Sequence, residues 1–202
     1  MIQNLLPVLI GALVGGIITM LGWVANYYLG RKKEIESRQQ EAKLHYLQQQ
    51  IEELYAPLWS LIEQSKIVHE VALKRLPVRA DGLTDRSKFT RQDNEIFMFF
   101  NENYYLPISA QISEILQKKV YLLRDGVMPG SCTDFIHHQV MNEALYRLWK
   151  EKAIDSSSVP GVGYPIHFNE DVKTVLDDLR QQYFREISLT TKSKRIRKQL
   201  QE

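Results

Sequence analysis

The sequence has one cysteine, Cys132, among its 202 residues. A single thiol excludes a disulfide within the chain and a zinc site built on several cysteines, and it fits a reducing compartment. A large net charge is also missing, because 26 basic and 24 acidic residues leave +2 at pH 7. That balance gives no argument for a nucleic-acid partner by itself. No motif is strong enough to name an activity, so we expect no cofactor and favour a non-enzymatic role.

Charged residues are absent from the first 30 positions. The apolar run Leu5–Leu29 would form about 37 Å of helix, enough to cross a hydrocarbon core of about 30 Å. Arg31-Lys32-Lys33 follows the run, whereas a cleaved signal peptide carries its positive charge in front. Basic residues stay on the cytoplasmic side. The pattern predicts a single-pass signal-anchor in the inner membrane with the N-terminus outside, a cytoplasmic domain, and the lipid bilayer as a partner.

Small residues recur within this apolar run at intervals of three and four. Small side chains let two helix backbones approach closely, although glycine is also simply common in membrane helices. We favour association, because the small residues line up along the helix. The predicted association residues are Gly11, Gly15, Gly16, Thr19 and Gly22, and the predicted assembly is a homo-oligomer.

The remaining sequence predicts an all-α chain, since no segment alternates polar and apolar residues as a half-buried strand does. Apolar residues follow heptad steps from Leu44 through Leu54 to Ala72, which indicates a packed helical seam. Pro57 and Pro107 should bend the helices that contain them. We predict an antiparallel four-helix bundle. The predicted order is an anchor at 1–30, a membrane-proximal heptad-patterned stalk at 31–56, the bundle at 57–190 and a basic tail at 191–202.

Local signals set the starts of the predicted bundle helices. Thr90 and Asp93 have the spacing of a capping box, and Asn169 is expected to start the last helix. The third helix follows the turn at 125–130. Its predicted core face consists of Ile136, Val140, Ala144, Leu145 and Leu148.

One short element carries a resemblance. The sequence Glu52-Glu53-Leu54-Tyr55-Ala56-Pro57-Leu58 resembles a recurring element in uncharacterised bacterial proteins that join one membrane helix to a helical cytoplasmic domain. The likeness extends loosely to FIHHQ…LYRLW and VKTVLDDL. In layout, the chain is similar to the membrane accessory protein of type VI-B CRISPR systems, an oligomeric antiviral protein with a HEPN-like domain. The resemblance implies a membrane-anchored effector with an antiviral or stress role.

HEPN ribonucleases use an Arg and a His separated by four to six residues. Arg38 and His45 match that spacing, which makes a membrane-tethered HEPN-like ribonuclease the alternative function. Two features oppose it: the pair precedes the predicted bundle, and Gln39 stands where the family prefers Asn, Asp or His. Two such residues also reach this spacing easily by chance.

A carboxylate and two histidines lie close together on the third predicted helix. Asp134, His137 and His138 have the three- and four-residue spacing of a helical metal pair. A bundle metal site needs a second set on a facing helix, and the sequence has none. The favoured interpretation is therefore a helix-cap acid beside histidines at the edge of the packed face.

Five basic residues crowd the C-terminus. Such a segment can bind anionic lipid or nucleic acid, but we favour a solvated tail, with nucleic acid the disfavoured partner. The residues are Lys192, Lys194, Arg195, Arg197 and Lys198. Taken together, the sequence favours a self-associating helical interaction or effector protein with a possible protein partner at its bundle, and a plain scaffold for other proteins is the third hypothesis.

Overall fold

The computed structural model describes residues 5–78, 84–152 and 162–199. The chain is mostly helical, and its described residues contain no β-strand, which confirms the all-α prediction. A single isolated β-bridge joins Val78 to Thr84.

The described residues form six α-helices, three short 3₁₀ turns and two π-helical segments. The α-helices are α1 (Leu5–Gln49), α2 (Ala56–Leu73), α3 (Arg91–Phe100), α4 (Leu106–Lys118), α5 (Gly130–Lys152) and α6 (Phe168–Gln199). The first π segment, Gln50–Tyr55, joins α1 to α2, and the second, Asn101–Tyr105, joins α3 to α4. The 3₁₀ turns are Arg86–Lys88, Val120–Leu122 and Arg124–Gly126.

The chain divides into two compact units, Met1–Tyr46 and Leu47–Glu202. The first unit contains most of α1. The second contains the remaining helices and the hydrophobic core.

The core of the second unit is built from the heptad seam and the apolar faces of α4, α5 and α6. Leu54 and Leu58 are fully buried, and Ile51, Leu61 and Val68 pack against them with partial exposure. The seam therefore faces the core as its spacing predicted. The other helices contribute buried side chains that include Ile108, Ile112, Leu116, Phe135, Phe168, Val172 and Leu176.

Each π segment ends immediately before an X-Pro pair, at Ala56-Pro57 and at Leu106-Pro107. Proline has no N–H, and its ring collides with the carbonyl four residues earlier in a regular α-helix. The helix instead widens by one residue, because Ala56 donates to Ile51 and Leu106 donates to Asn101, both five residues back. The sequence located these irregularities but predicted plain bends.

The start of α3 confirms the predicted capping box. The Thr90 hydroxyl accepts a hydrogen bond from the Asp93 N–H, and the Asp93 carboxylate accepts one from the Thr90 N–H. These bonds satisfy backbone donors that the first helical turn leaves without partners.

Of the predicted core face of α5, Ile136 packs against the core as predicted, but Val140, Ala144 and Leu148 are exposed, so the face is rotated. The helix buries Cys132, Phe135 and Gln139, whereas Val140 is 56% exposed and Leu148 is 40% exposed. The rotation follows from Phe135, which stacks on the Phe168 ring with centroids 4.4 Å apart. Burying this large ring turns the smaller apolar residues outward.

The predicted transmembrane span at Leu5–Leu29 is also wrong. Within residues 5–78, 84–152 and 162–199, none of the helices has both the length and the apolar character to cross a bilayer. A span needs about 20 consecutive apolar residues. The inner-membrane, single-pass and signal-anchor assignments, and the outside N-terminus and cytoplasmic domain that depended on them, are corrected accordingly.

Candidate interaction surfaces

The most apolar exposed surface described in the first unit lies on α1. Trp23 is 72% exposed, and its ring stacks near that of Tyr27 at 6.1 Å, while Tyr27 and Tyr28 meet edge to face at 5.9 Å. Further large apolar residues are exposed beside them: Met20, Leu21, Leu29 and Ile35. Exposed large apolar side chains grouped on one helix are typical of interaction sites in proteins.

The predicted small association residues all lie on α1, and the described glycines among them leave space beside the helix. A Cβ added at Gly15, Gly16 or Gly22 would meet nothing within 4 Å. Thr19 turns its hydroxyl back to donate a 2.8 Å hydrogen bond to the Gly15 carbonyl, so it presents mainly its methyl group outward. Gly11 occupies the same helix one turn earlier. Another helix could approach this backbone closely.

The proposed nuclease pair lies on the exposed surface of α1. Arg38 is held in an ion pair with Glu34, with 2.6 Å between Nη2 and Oε1. His45 is exposed and stands seven positions after Arg38, with six residues between them, which corresponds to about 10.5 Å along a regular helix. The guanidinium that phosphate chemistry would require is therefore engaged with a carboxylate, and the nuclease hypothesis gains no support.

The candidate metal ligands do not converge. Asp134 and His137 are exposed, while the Nδ1 atom of His138 lies 2.6 Å from the Val162 carbonyl oxygen. The His138 ring also meets the Tyr164 ring edge to face at 5.6 Å. Among the residues that the structure describes, no group of three or more His, Cys, Asp or Glu side chains is arranged to hold a metal ion.

The basic C-terminal residues belong to the last turns of α6, which runs to Gln199. The side chains of Lys192, Lys194, Arg195, Arg197 and Lys198 lie outside the described part of the structure. The predicted lipid or nucleic-acid contact therefore stays a prediction.

The first π segment contains Glu52, Glu53, Leu54 and Tyr55 of the Glu52–Leu58 element, and it docks on the turn that follows α4. The side-chain amide of Gln50 donates to the Leu122 carbonyl at 2.9 Å, and the Tyr55 hydroxyl accepts from the Arg124 N–H at 3.3 Å. Residues five apart share a face here because the π turn closes with a five-residue hydrogen bond. In an α-helix, the same two side chains would point about 140° apart.

Charged pairs surround this contact. Lys119 donates from Nζ to Glu53 at 2.5 Å, and Arg124 pairs with Asp178 at 2.9 Å. The hydrogen bond that Lys119 donates to Glu53 is the main cause that raises the pKa of Lys119. Glu53 and Tyr55 of this element therefore both have hydrogen-bond partners in the segment after α4.

An open groove of about 800 Å³ runs between the second π segment, α4 and α5. Glu102 accepts hydrogen bonds from Lys150 and Tyr146, and the Lys150 bond is the main cause that lowers the pKa of Glu102. Arg147 pairs with Glu143 at 2.5 Å. The Lys150–Glu102 pair therefore links α5 to the second π segment, whereas the Arg147–Glu143 pair lies within α5.

Two features of these surfaces escaped the sequence. The first is the burial of the polar residue Gln50 beside the heptad seam. The only sequence feature that could have indicated it is that Gln50 stands five residues before Tyr55, just ahead of Pro57. The second is the outward apolar face of α5, whose residues were visible in the sequence pattern but were assigned to the core.

No protein-family model, curated protein or solved structure matches the chain.

Proposed function

We propose that this chain is a helical interaction protein that associates with other copies of itself through α1. The observation that carries the proposal is the exposure of large apolar side chains, Trp23 and Tyr28 among them, on a helix whose small residues leave open space. Covering this surface removes apolar area from water, which is the main drive for protein association. The glycines support the proposal further, because two helices can pack more closely where the side chains at their contact are small.

We also infer that the helices of the second unit form an antiparallel bundle. What supports this is one continuous core to which α2, α4, α5 and α6 all contribute.

The experiment measures the mass of the full chain by light scattering across a concentration series. The wild-type mass should exceed the 23.6 kDa of one chain, and Gly15→Ile with Gly22→Ile should lower it toward smaller species. Branched side chains at these positions would hold another helix away. Unchanged mass in the double variant would contradict the proposal.

Two controls separate this effect from general damage to α1. Val24→Ile adds a methylene group nine residues after Gly15, which is two and a half turns and the opposite side of the helix. Arg38→Ala with His45→Ala removes the exposed polar pair. Both should associate as the wild type does.

A further inference from the structure

One face of α3 has large apolar side chains that the core of the second unit leaves partly open. None of the ten residues of this helix is fully buried, and Phe99 is 54% exposed. The rings of Phe99, Phe100 and Tyr104 contact one another, with centroids 5.8 to 6.1 Å apart. These contacts hold the rings in place, so the helix presents an aromatic surface that is already formed and still open to a ligand.

An open groove of about 560 Å³ lies against this face of α3. Five of its lining residues belong to the helix, and their three- and four-residue spacing places them on one side of it. They are Gln92, Glu95, Ile96, Phe99 and Phe100. The sixth lining residue is Arg75, two positions after the end of α2 at Leu73. A groove of this volume suits a small organic molecule.

The backbone that carries Arg75 is anchored on both sides. The Arg75 N–H donates a 2.9 Å hydrogen bond to the Ala72 carbonyl oxygen at the end of α2. Ala72 is 2% exposed and Leu76 is 5% exposed, so the core fixes the chain just before and just after this residue. Arg75 itself is exposed. Its guanidinium therefore stays at the groove with its hydrogen-bond donors open to solvent.

Arg75 also gives the groove a positive charge that is not neutralised there. Glu95 is the other charged lining residue, and its Oε1 atom pairs with Nε of Arg91 at 3.2 Å. Within the described ranges, the Arg75 guanidinium forms no ion pair. The groove thus combines one available cation with an apolar and aromatic wall, and this combination favours a ligand that is anionic at one end and apolar along its body.

We propose that the groove between α3 and Arg75 is a binding site for small organic carboxylates with an aromatic or other apolar body. The two carboxylate oxygens accept hydrogen bonds from the fork of donors on the Arg75 guanidinium. The body covers Ile96, Phe99 and Phe100, and the Gln92 side-chain amide offers one further donor. The site lies entirely within the second unit and uses no residue of α1, so it goes beyond the proposed self-association.

The test is equilibrium dialysis of the full chain against phenylbutyrate, which has a carboxylate at one end and an aromatic ring at the other. Binding should be saturable. The neutral analogue phenylbutyramide has the same body without the charge, and it should bind about tenfold more weakly because it loses the charge-assisted hydrogen bonds to Arg75. Equal binding of the two molecules, or no saturable binding of phenylbutyrate, would overturn the proposal.

Substitution of the arginine locates the charged end of the ligand. Arg75→Gln should weaken phenylbutyrate binding by about tenfold and leave phenylbutyramide binding unchanged. Arg185→Gln removes an exposed arginine of α6 and is the matched control, which should bind both molecules as the wild type does. Phenylbutyrate binding that is unchanged in Arg75→Gln, or that falls equally in the two variants, would show that Arg75 does not hold the anion.

Substitution of a ring locates the apolar end. Phe99→Ala should weaken both phenylbutyrate and phenylbutyramide by about fivefold, because both lose the same ring contact. Phe184→Ala removes a ring that is 65% exposed on α6 and should weaken neither. Circular dichroism of each variant checks that the helix content is retained. Binding that ignores Phe99→Ala in a folded chain would contradict the proposed wall of the site.

Discussion

The side chain of Gln50 is bonded to the backbone carbonyl of Leu122, 72 positions later in the chain, with 2.9 Å between nitrogen and oxygen. Both residues are buried. The bond therefore connects the π segment after α1 to the turn after α4 without help from water. Removing either partner leaves the other buried without a hydrogen bond, which is costly in a protein interior.

Replacing Gln50 should destabilise the fold markedly. Gln50→Met keeps a similar side-chain length but leaves the Leu122 carbonyl without its donor, so the free energy of unfolding should fall by about 1–3 kcal/mol. Chemical denaturation measures the change. The control is Gln48→Met, which removes an exposed bond to Glu52 and should cost less than about 0.5 kcal/mol. Equal losses of stability in Gln50→Met and Gln48→Met would show that the buried bond contributes no more than the exposed one.

Leu54 tests the heptad seam. It is fully buried, and Leu54→Ala should lower the free energy of unfolding by about 2–5 kcal/mol because it creates a cavity. Leu189→Ala removes the same atoms from a side chain that is 55% exposed on α6, and it should change stability by less than about 0.5 kcal/mol. A small effect at Leu54 would contradict the core described above.

Cys132 should make the fold sensitive to alkaline pH. Burial raises its pKa to about 11 in the folded chain, whereas an unfolded thiol titrates near 8.5. Between those values the unfolded chain releases a proton that the folded chain keeps. The free energy of unfolding therefore keeps its full value, as far as this thiol is concerned, below about pH 8.5, and it falls as the pH rises toward 11.

The check is the free energy of unfolding at pH 7.5 and pH 10.5. Cys132→Ala should show a smaller loss between the two pH values than the wild type, whatever its stability at pH 7.5. Tyr105, whose pKa burial raises to about 12, is unchanged in both chains and cancels in the comparison. Identical losses would mean that the thiol does not titrate with unfolding.

Periodicity was enough to predict the helices and the seam, because each depends on neighbours in sequence. Leu54, Leu58 and the Thr90 cap are local patterns with a single helical solution. The bond from Gln50 to Leu122 is not local, since it depends on where a distant turn comes to lie. Sequence spacing shows which side chains share a face but not what that face meets.

The error in α5 has a similar cause. Apolar residues lie on two sides of that helix, so the pattern permits two rotations. The stacked rings of Phe135 and Phe168 decide between them, and that contact forms only after the chain has folded. The apolar run in α1 was likewise interpreted from its composition alone.

The two π segments have a consequence for the evolution of chain length. A π turn holds one residue more than the α turn it replaces, and each segment here stands immediately before a proline. Loss of one residue from 50–55 or 101–105 would restore regular winding while leaving the faces on either side in phase. We therefore expect related chains to vary in length by a single residue at these two places, and to keep or lose the following proline together with the extra residue.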